Sequence, residues 1–132
     1  MAGSRLLLPV FNEGALFSIG DGHACQGDGE VNSFALETGL EARLRLTLRQ
    51  ERSLSLPRAE TPTHLIFMGL DPILDNAASE ALRQALGFLV EEKGMGRADA
   101  YTLCSLALDL RVTQLVNGTK GVHAMLARAL LE

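Results

Sequence analysis

The run at residues 40–49 constrains the fold more than any other stretch: Leu40, Ala42, Leu44, Leu46 and Leu48 alternate with Glu41, Arg43, Arg45, Thr47 and Arg49. Successive side chains of a strand point to opposite faces, so a period of two predicts a strand with one apolar and one wet face. Such a strand needs a neighbour for its backbone and a cover for its leucines, which commits the chain to a sheet with a layer packed on one side. Other segments extend that sheet. Residues 6–11 contain Pro9 and suit an edge, because proline cannot donate to a ladder. Residues 15–19, 31–37 and 63–68 are further apolar strands, and 112–116 is a short one closed by Asn117-Gly118. Residues 53–62, with Pro57 and Pro62, form a loop.

The period changes at residues 73–93, where Ala78, Leu82, Ala85, Leu86, Leu89 and Val90 recur at helical spacing until Gly94 and Gly96 stop them. Asp99 lies in the first turn of a second helix, where the helix dipole favours a carboxylate. The apolar stripe of that helix, Ala100, Leu103, Cys104, Ala107 and Leu108, makes Cys104 a core residue. Residues 122–131 complete the pattern as a last short helix. Strands come first and helices later, which predicts an α+β fold: a mostly antiparallel β-sheet in the N-terminal half, followed by helices packing on one face. At 132 residues, with 47% hydrophobic and 21% charged, residues 1–132 fit a single domain.

Composition also excludes partners. Twelve basic against 16 acidic residues give a net charge of −4, which argues against nucleic-acid binding through phosphate neutralisation. No apolar run approaches bilayer length, so no membrane association is expected. There are two cysteines, and Leu6-Leu7-Leu8 is broken by Pro9 without a small-residue cleavage site, which points to the cytoplasm.

The chemistry concentrates in residues 20–30, where four glycines interleave with Asp21, His23, Cys25, Asp28 and Glu30. Glycine permits sharp turns and close backbone approach, so neighbouring side chains can converge on one point. Taken singly, Asp21 and Asp28 beside glycines would serve as turn formers, His23 as a hydrogen-bonded loop histidine and Glu30 as a solvated acid. Their joint occurrence favours a site. Cys25 beside His23 could be an activated nucleophile or simply a small side chain. The run does not follow the calcium-loop pattern of an EF-hand.

Ordered motifs extend beyond this run. Leu8-Pro9-Val10, Gly14-Ala15-Leu16-Phe17-Ser18, Gly20-Asp21-Gly22-His23-Ala24, Gln26-Gly27-Asp28-Gly29-Glu30 and Ala35-Leu36-Glu37 resemble the acetamidase/formamidase family of amide hydrolases. So do Glu60-Thr61-Pro62-Thr63-His64, Cys104-Ser105-Leu106-Ala107, Asp109-Leu110-Arg111-Val112-Thr113-Gln114 and Gly121-Val122-His123-Ala124-Met125. The resemblance is to the C-terminal portion of the family and implies an N-terminal half that this chain lacks.

It also implies cleavage of formamide, acetamide or a related small linear amide to a carboxylate and ammonia by a metal-activated water. The divalent metal would be zinc, or alternatively calcium, held by Asp21, His23 and His64, with Glu30 or Asp28 moving the proton. Gly22, Gly27 and Gly29 would let the backbone approach the substrate. His64 could equally be a satisfied core histidine. Glu60 could orient His64 or be an exposed loop acid, and His123 could belong to the site or only pack. The partners expected are a small amide and either further copies in a homo-oligomer or a separate N-terminal-half subunit. The alternative to an enzyme is a non-catalytic metal-binding or assembly module.

Overall fold

The computed structural model describes residues 3–50 and 53–131. Five antiparallel strands make the main sheet: β1 (Arg5–Leu7), β4 (Arg58–Glu60), β5 (His64–Asp71), β6 (Leu108–Gln114) and β7 (Lys120–Ala127), in the spatial order β1-β4-β5-β7-β6. A separate two-stranded ribbon pairs β2 (His23–Cys25) with β3 (Leu36–Glu37). Helices α1 (Leu74–Gly87) and α2 (Arg97–Ala107) are joined through a π turn, Phe88–Glu92. The α+β architecture with helices on one face is therefore as expected. The strict order of strands before helices is not, because β6 and β7 follow the helices and β7 lies between β5 and β6.

Residues 122–131, expected as a helix, are instead most of β7 and a short 3-10 turn, Arg128–Leu130. The segment is rich in alanine, methionine and leucine, which favour helix in isolation. Tertiary pairing overrides that preference: β5 pairs with β7 from His64↔Ala127 to Asp71↔Lys120. Val122, Ala124 and Leu126 then face the helices and are buried, while His123 and Met125 face the other side.

The core is this helix-facing surface. Leu65 and Phe67 of β5 share one cluster with the alanine stripe Ala77, Ala81 and Ala85 of α1, each alanine fully buried, together with Phe88 and Leu89 and with Ala100 and Cys104 of α2. Of the stripe expected from the sequence, Ala85 and Leu89 are core residues, while Ala77 and Ala81 take the places expected for Ala78 and Leu82. Alanines face the sheet, while Ala78, Leu82, Leu86 and Val90 pack around them half-buried. Small side chains let α1 lie close to β5, and Gly69 is where the approach is tightest: a Cβ there would sit 1.9 Å from the Ala77 carbonyl oxygen. Arg58 seals the core's edge, its guanidinium 5.2 Å from the Phe67 ring and 5.0 Å from the Phe88 ring, with Glu92 accepting a 2.6 Å hydrogen bond.

Upstream, Leu6 and Leu7 of the expected edge strand 6–11 lie in β1 at the sheet's edge, but the other expected strands largely fail. Residues 15–19 are irregular, with Ala15 and Leu16 at positive φ, and only Leu36 and Glu37 of 31–37 form a strand. Residues 40–49 belong to no strand, and every one of them is exposed. Their alternation is real, but no strand among the described residues pairs with them. Conversely, the expected loop 53–62 contains β4. No helix among the described residues is long and apolar enough to cross a membrane.

Gly69→Ala tests the close packing. The clash is with backbone of α1, which no rotamer change relieves, so destabilisation of about 3 kcal/mol is expected in chemical denaturation. A loss below about 0.5 kcal/mol would mean that α1 does not lie against β5 this closely.

Candidate functional site

The ribbon β2–β3 builds a three-residue cluster. Cross-strand pairing sets His23 opposite Glu37, and Asp21 enters from the turn just before β2 with φ 60°. Aspartate tolerates this left-handed conformation better than most residues. Gly22 makes the turn fit: Thr38 donates its N–H to the Gly22 carbonyl at 2.8 Å, and a Cβ on Gly22 would lie 2.7 Å from the Thr38 carbonyl oxygen. The glycine thus has a demonstrable packing role, separate from the substrate contact expected of it.

The ring of His23 is fixed at both nitrogens. Its Nδ1 lies 2.7 Å from Gln26 Oε1, and Nε2 lies 3.2 Å from Asp21 Oδ1 and 2.9 Å from Glu37 Oε2. With Nδ1–H donated to the glutamine oxygen, Nε2 faces two carboxylates. That arrangement is favourable only if Nε2 carries a proton or a cation sits among the three atoms. The His23 pKa is raised above its ordinary value, first by the Gln26 hydrogen bond, opposed by burial, and further by the charges of Glu37 and Asp21.

One ligand atom from each of Asp21, His23 and Glu37 lies within 4.8 Å of the others, which fits a single divalent cation. An imidazole nitrogen with two carboxylate oxygens is a donor set that zinc accepts; calcium would use the oxygens. Glu37 was not among the expected ligands. It ends the motif Ala35-Leu36-Glu37, but only the bulged pairing of β2 with β3 reveals that it faces His23. His64 lies outside this cluster, at the start of β5, with Nδ1 2.9 Å from Thr63 Oγ1.

A second group forms where the glycine-rich loop meets the main sheet. Gly29 donates its N–H to Thr113 O at 3.2 Å and accepts from Leu115 N at 2.8 Å, so the loop is tethered beside the end of β6. Gly29 is buried with φ 93°, a conformation glycine adopts without strain. The tether brings Asp28 to 4.0 Å from Arg111 of β6, which pairs in register with His123 of β7. Burial pushes the His123 pKa below 6.5, and the Asp28 charge partly offsets that. Arg111 was not among the expected site residues, although it lies in the motif Asp109-Leu110-Arg111-Val112-Thr113-Gln114.

The remaining expected residues are dispersed. Glu30 follows Gly29 at φ 41°, donating its N–H to Gly27 O at 3.2 Å, so Gly27 and Glu30 close a turn. Glu60 is on β4, not in a loop, and its Oε2 lies 3.1 Å from Arg5 and 3.8 Å from Arg128. Cys25 is an exposed thiol on β2, and Cys104 is buried.

Residues 1–127 match the model of the Acetamidase/Formamidase family. The chain belongs to that family. It superposes on the crystal structure of an acetamidase from Yersinia enterocolitica with a TM-score of 0.88 and 32% identity, covering 98% of this chain and 39% of that one. An acetamidase from Bacillus halodurans also gives 0.88, at 34% identity, over 97% of this chain and 43% of that one. A 30-residue stretch is 63% identical to an acetamidase of Mycolicibacterium smegmatis, spanning 23% of this chain and 7% of that protein. The chain thus spans less than half the length of the acetamidases it matches.

Two predictions follow from the geometry. Gly22→Ala is expected to separate β2 from β3, seen as lost hydrogen-exchange protection at Thr38, while core stability changes by less than about 0.5 kcal/mol. His123 is expected to titrate below 6.5 by NMR. Its lowered pKa means that the unfolded chain binds the proton more tightly. Its contribution to stability is therefore complete above 6.5 and declines as pH falls from there through the folded-state value. His123→Asn should flatten that part of the stability profile; an unchanged profile would contradict the assignment.

Proposed function

We propose that this chain is the metal-holding part of an amide hydrolase acting on formamide, acetamide or a related small linear amide. The observation that carries the reading is the convergence of His23 Nε2 with the carboxylates of Asp21 and Glu37, three possible ligand atoms within 4.8 Å of one another. Family membership supports the amide as substrate class.

In this reading Asp21, His23 and Glu37 hold a divalent cation, zinc or alternatively calcium, and Glu37 takes the place expected for His64. When bound, the cation supplies Lewis acidity that polarises an amide carbonyl and acidifies water. Hydrolysis adds water oxygen to the carbonyl carbon, breaks the C–N bond and delivers a proton to the leaving ammonia. Asp28 and Glu30 flank Gly29 on the tethered loop, and either can move that proton. The Gly29 tether holds both near the sheet, with the Arg111 guanidinium 4.0 Å from the Asp28 carboxylate. Two unpaired thiols agree with a reducing, cytoplasmic setting.

Dialysed protein should take up one equivalent of zinc or calcium by elemental analysis and release ammonia from formamide or acetamide in a chelator-sensitive way. Glu37→Gln should weaken metal binding by at least about 10–100-fold, the range produced even by lesser changes around metal ligands. Protein that takes up neither ion would sink the metal assignment. Metal uptake without ammonia release would favour a non-catalytic metal-binding module.

A further inference from the structure

The face of the main sheet turned away from the helices gathers ionisable side chains from separate segments. His123 stands on it midway along β7, with Met68 of β5 opposite on one side and Arg111 of β6 on the other. Asp109, two residues before Arg111, shares that face, and His64 lies four residues back along β5 from Met68. Gly121, two residues before His123, makes room for β6: a Cβ there would lie 2.6 Å from Thr113 Oγ1. Thr113 in turn accepts the Gly29 N–H, and this tether brings Asp28 to Arg111 and within electrostatic reach of His123.

The His123 ring differs from one that merely packs. A half-buried imidazole with a structural role ordinarily has a nitrogen bonded to a neighbour. Among the described residues the His123 ring makes no hydrogen bond, and neither nitrogen is sealed from solvent. Of the charged groups on this face, Asp28 is the one whose charge acts on the ring, raising its proton affinity against the effect of burial. An imidazole that is half-buried, reachable and faced by a carboxylate is arranged for proton exchange with a bound molecule.

We propose that His123 carries the proton during amide hydrolysis, with the Asp28 carboxylate as its counter-charge. The inference rests on the reading of the chain as part of an amide hydrolase and deepens it, since Asp28 then acts on the proton through His123. The neutral imidazole takes a proton from the attacking water as the water oxygen bonds to the carbonyl carbon. The imidazolium, stabilised by Asp28, returns that proton to nitrogen as the C–N bond breaks and its electron pair leaves with ammonia. The ring ends neutral, and the products are a carboxylic acid and ammonia. Imidazole suits both halves of this cycle because it titrates near neutrality, so it both accepts and releases a proton readily. Burial favours the neutral form of His123 that begins the cycle.

The test compares the zinc-loaded wild-type chain with His123→Gln and Asp28→Asn, following ammonia release from formamide across pH and the His123 ring titration by NMR in the same samples. His123→Gln should lower kcat at least about 100-fold, the lower bound for general acid–base catalysis, with KM changed less than about threefold. The wild-type kcat/KM should fall on the acid side where His123 protonates, below 6.5. Asp28→Asn removes the charge that raises that value, so the NMR midpoint and the acid limb should move together to lower pH. The Asp28 side chain is 66% exposed, so this arm does not depend on packing around the ring. His123→Gln with kcat within about threefold of wild type, an NMR midpoint indifferent to Asp28→Asn, or an acid limb that stays while the midpoint moves would each overturn the assignment alone. A wild-type chain that releases no ammonia would overturn the amide-hydrolase reading, and the assignment with it.

Discussion

The contact between α1 and the β5–β7 pair is what the rest of the molecule depends on. Three alanines at four-residue spacing present almost no side chain to the sheet, and Gly69 removes the last obstacle beneath them. Close approach buries Phe67, Val122, Ala124 and Leu126 in the layer between helix and sheet. At about 25 cal/mol per Å² of apolar surface, that layer dominates what holds the chain folded. It also fixes β7 between β5 and β6, and through β7 the positions of His123 and, by pairing, Arg111.

The candidate site stands on a weaker foundation. His23 and Glu37 meet across a ribbon of three and two residues, which would be marginal alone in water. Two local devices hold it: the contact of Gly22 with Thr38, and the tether of Gly29 to Thr113 and Leu115. A site built on such short elements belongs to the low end of the local-stability range.

What was legible in the sequence follows from where the restoring forces are local. The helix at 73–93 and the one beginning near Asp99 were readable because amphipathic spacing and glycine stops act over a few residues, and 63–68 was readable because its β-branched and aromatic residues are bounded by proline and glycine. The segment 122–131 was misread because alanine and methionine favour helix locally while two neighbouring strands claim its backbone. For 15–19 and 40–49 the failure has the opposite cause: apolar content and alternation are strand-like, but a strand exists only where a partner supplies hydrogen bonds.

The sequence by itself determined the family, the two helices, the glycine-rich run and most of the ionisable groups that could act there, because these rest on residue identity and short-range spacing. Only the tertiary structure decided that Glu37, and not His64, meets His23 and Asp21, since that depends on a bulged register between segments a dozen residues apart. It likewise decided that Asp28 reaches Arg111 and that β7 is a strand. Neither could be read along the chain, because both are fixed by long-range pairing with β6 and by the helix packed on the far side of the sheet.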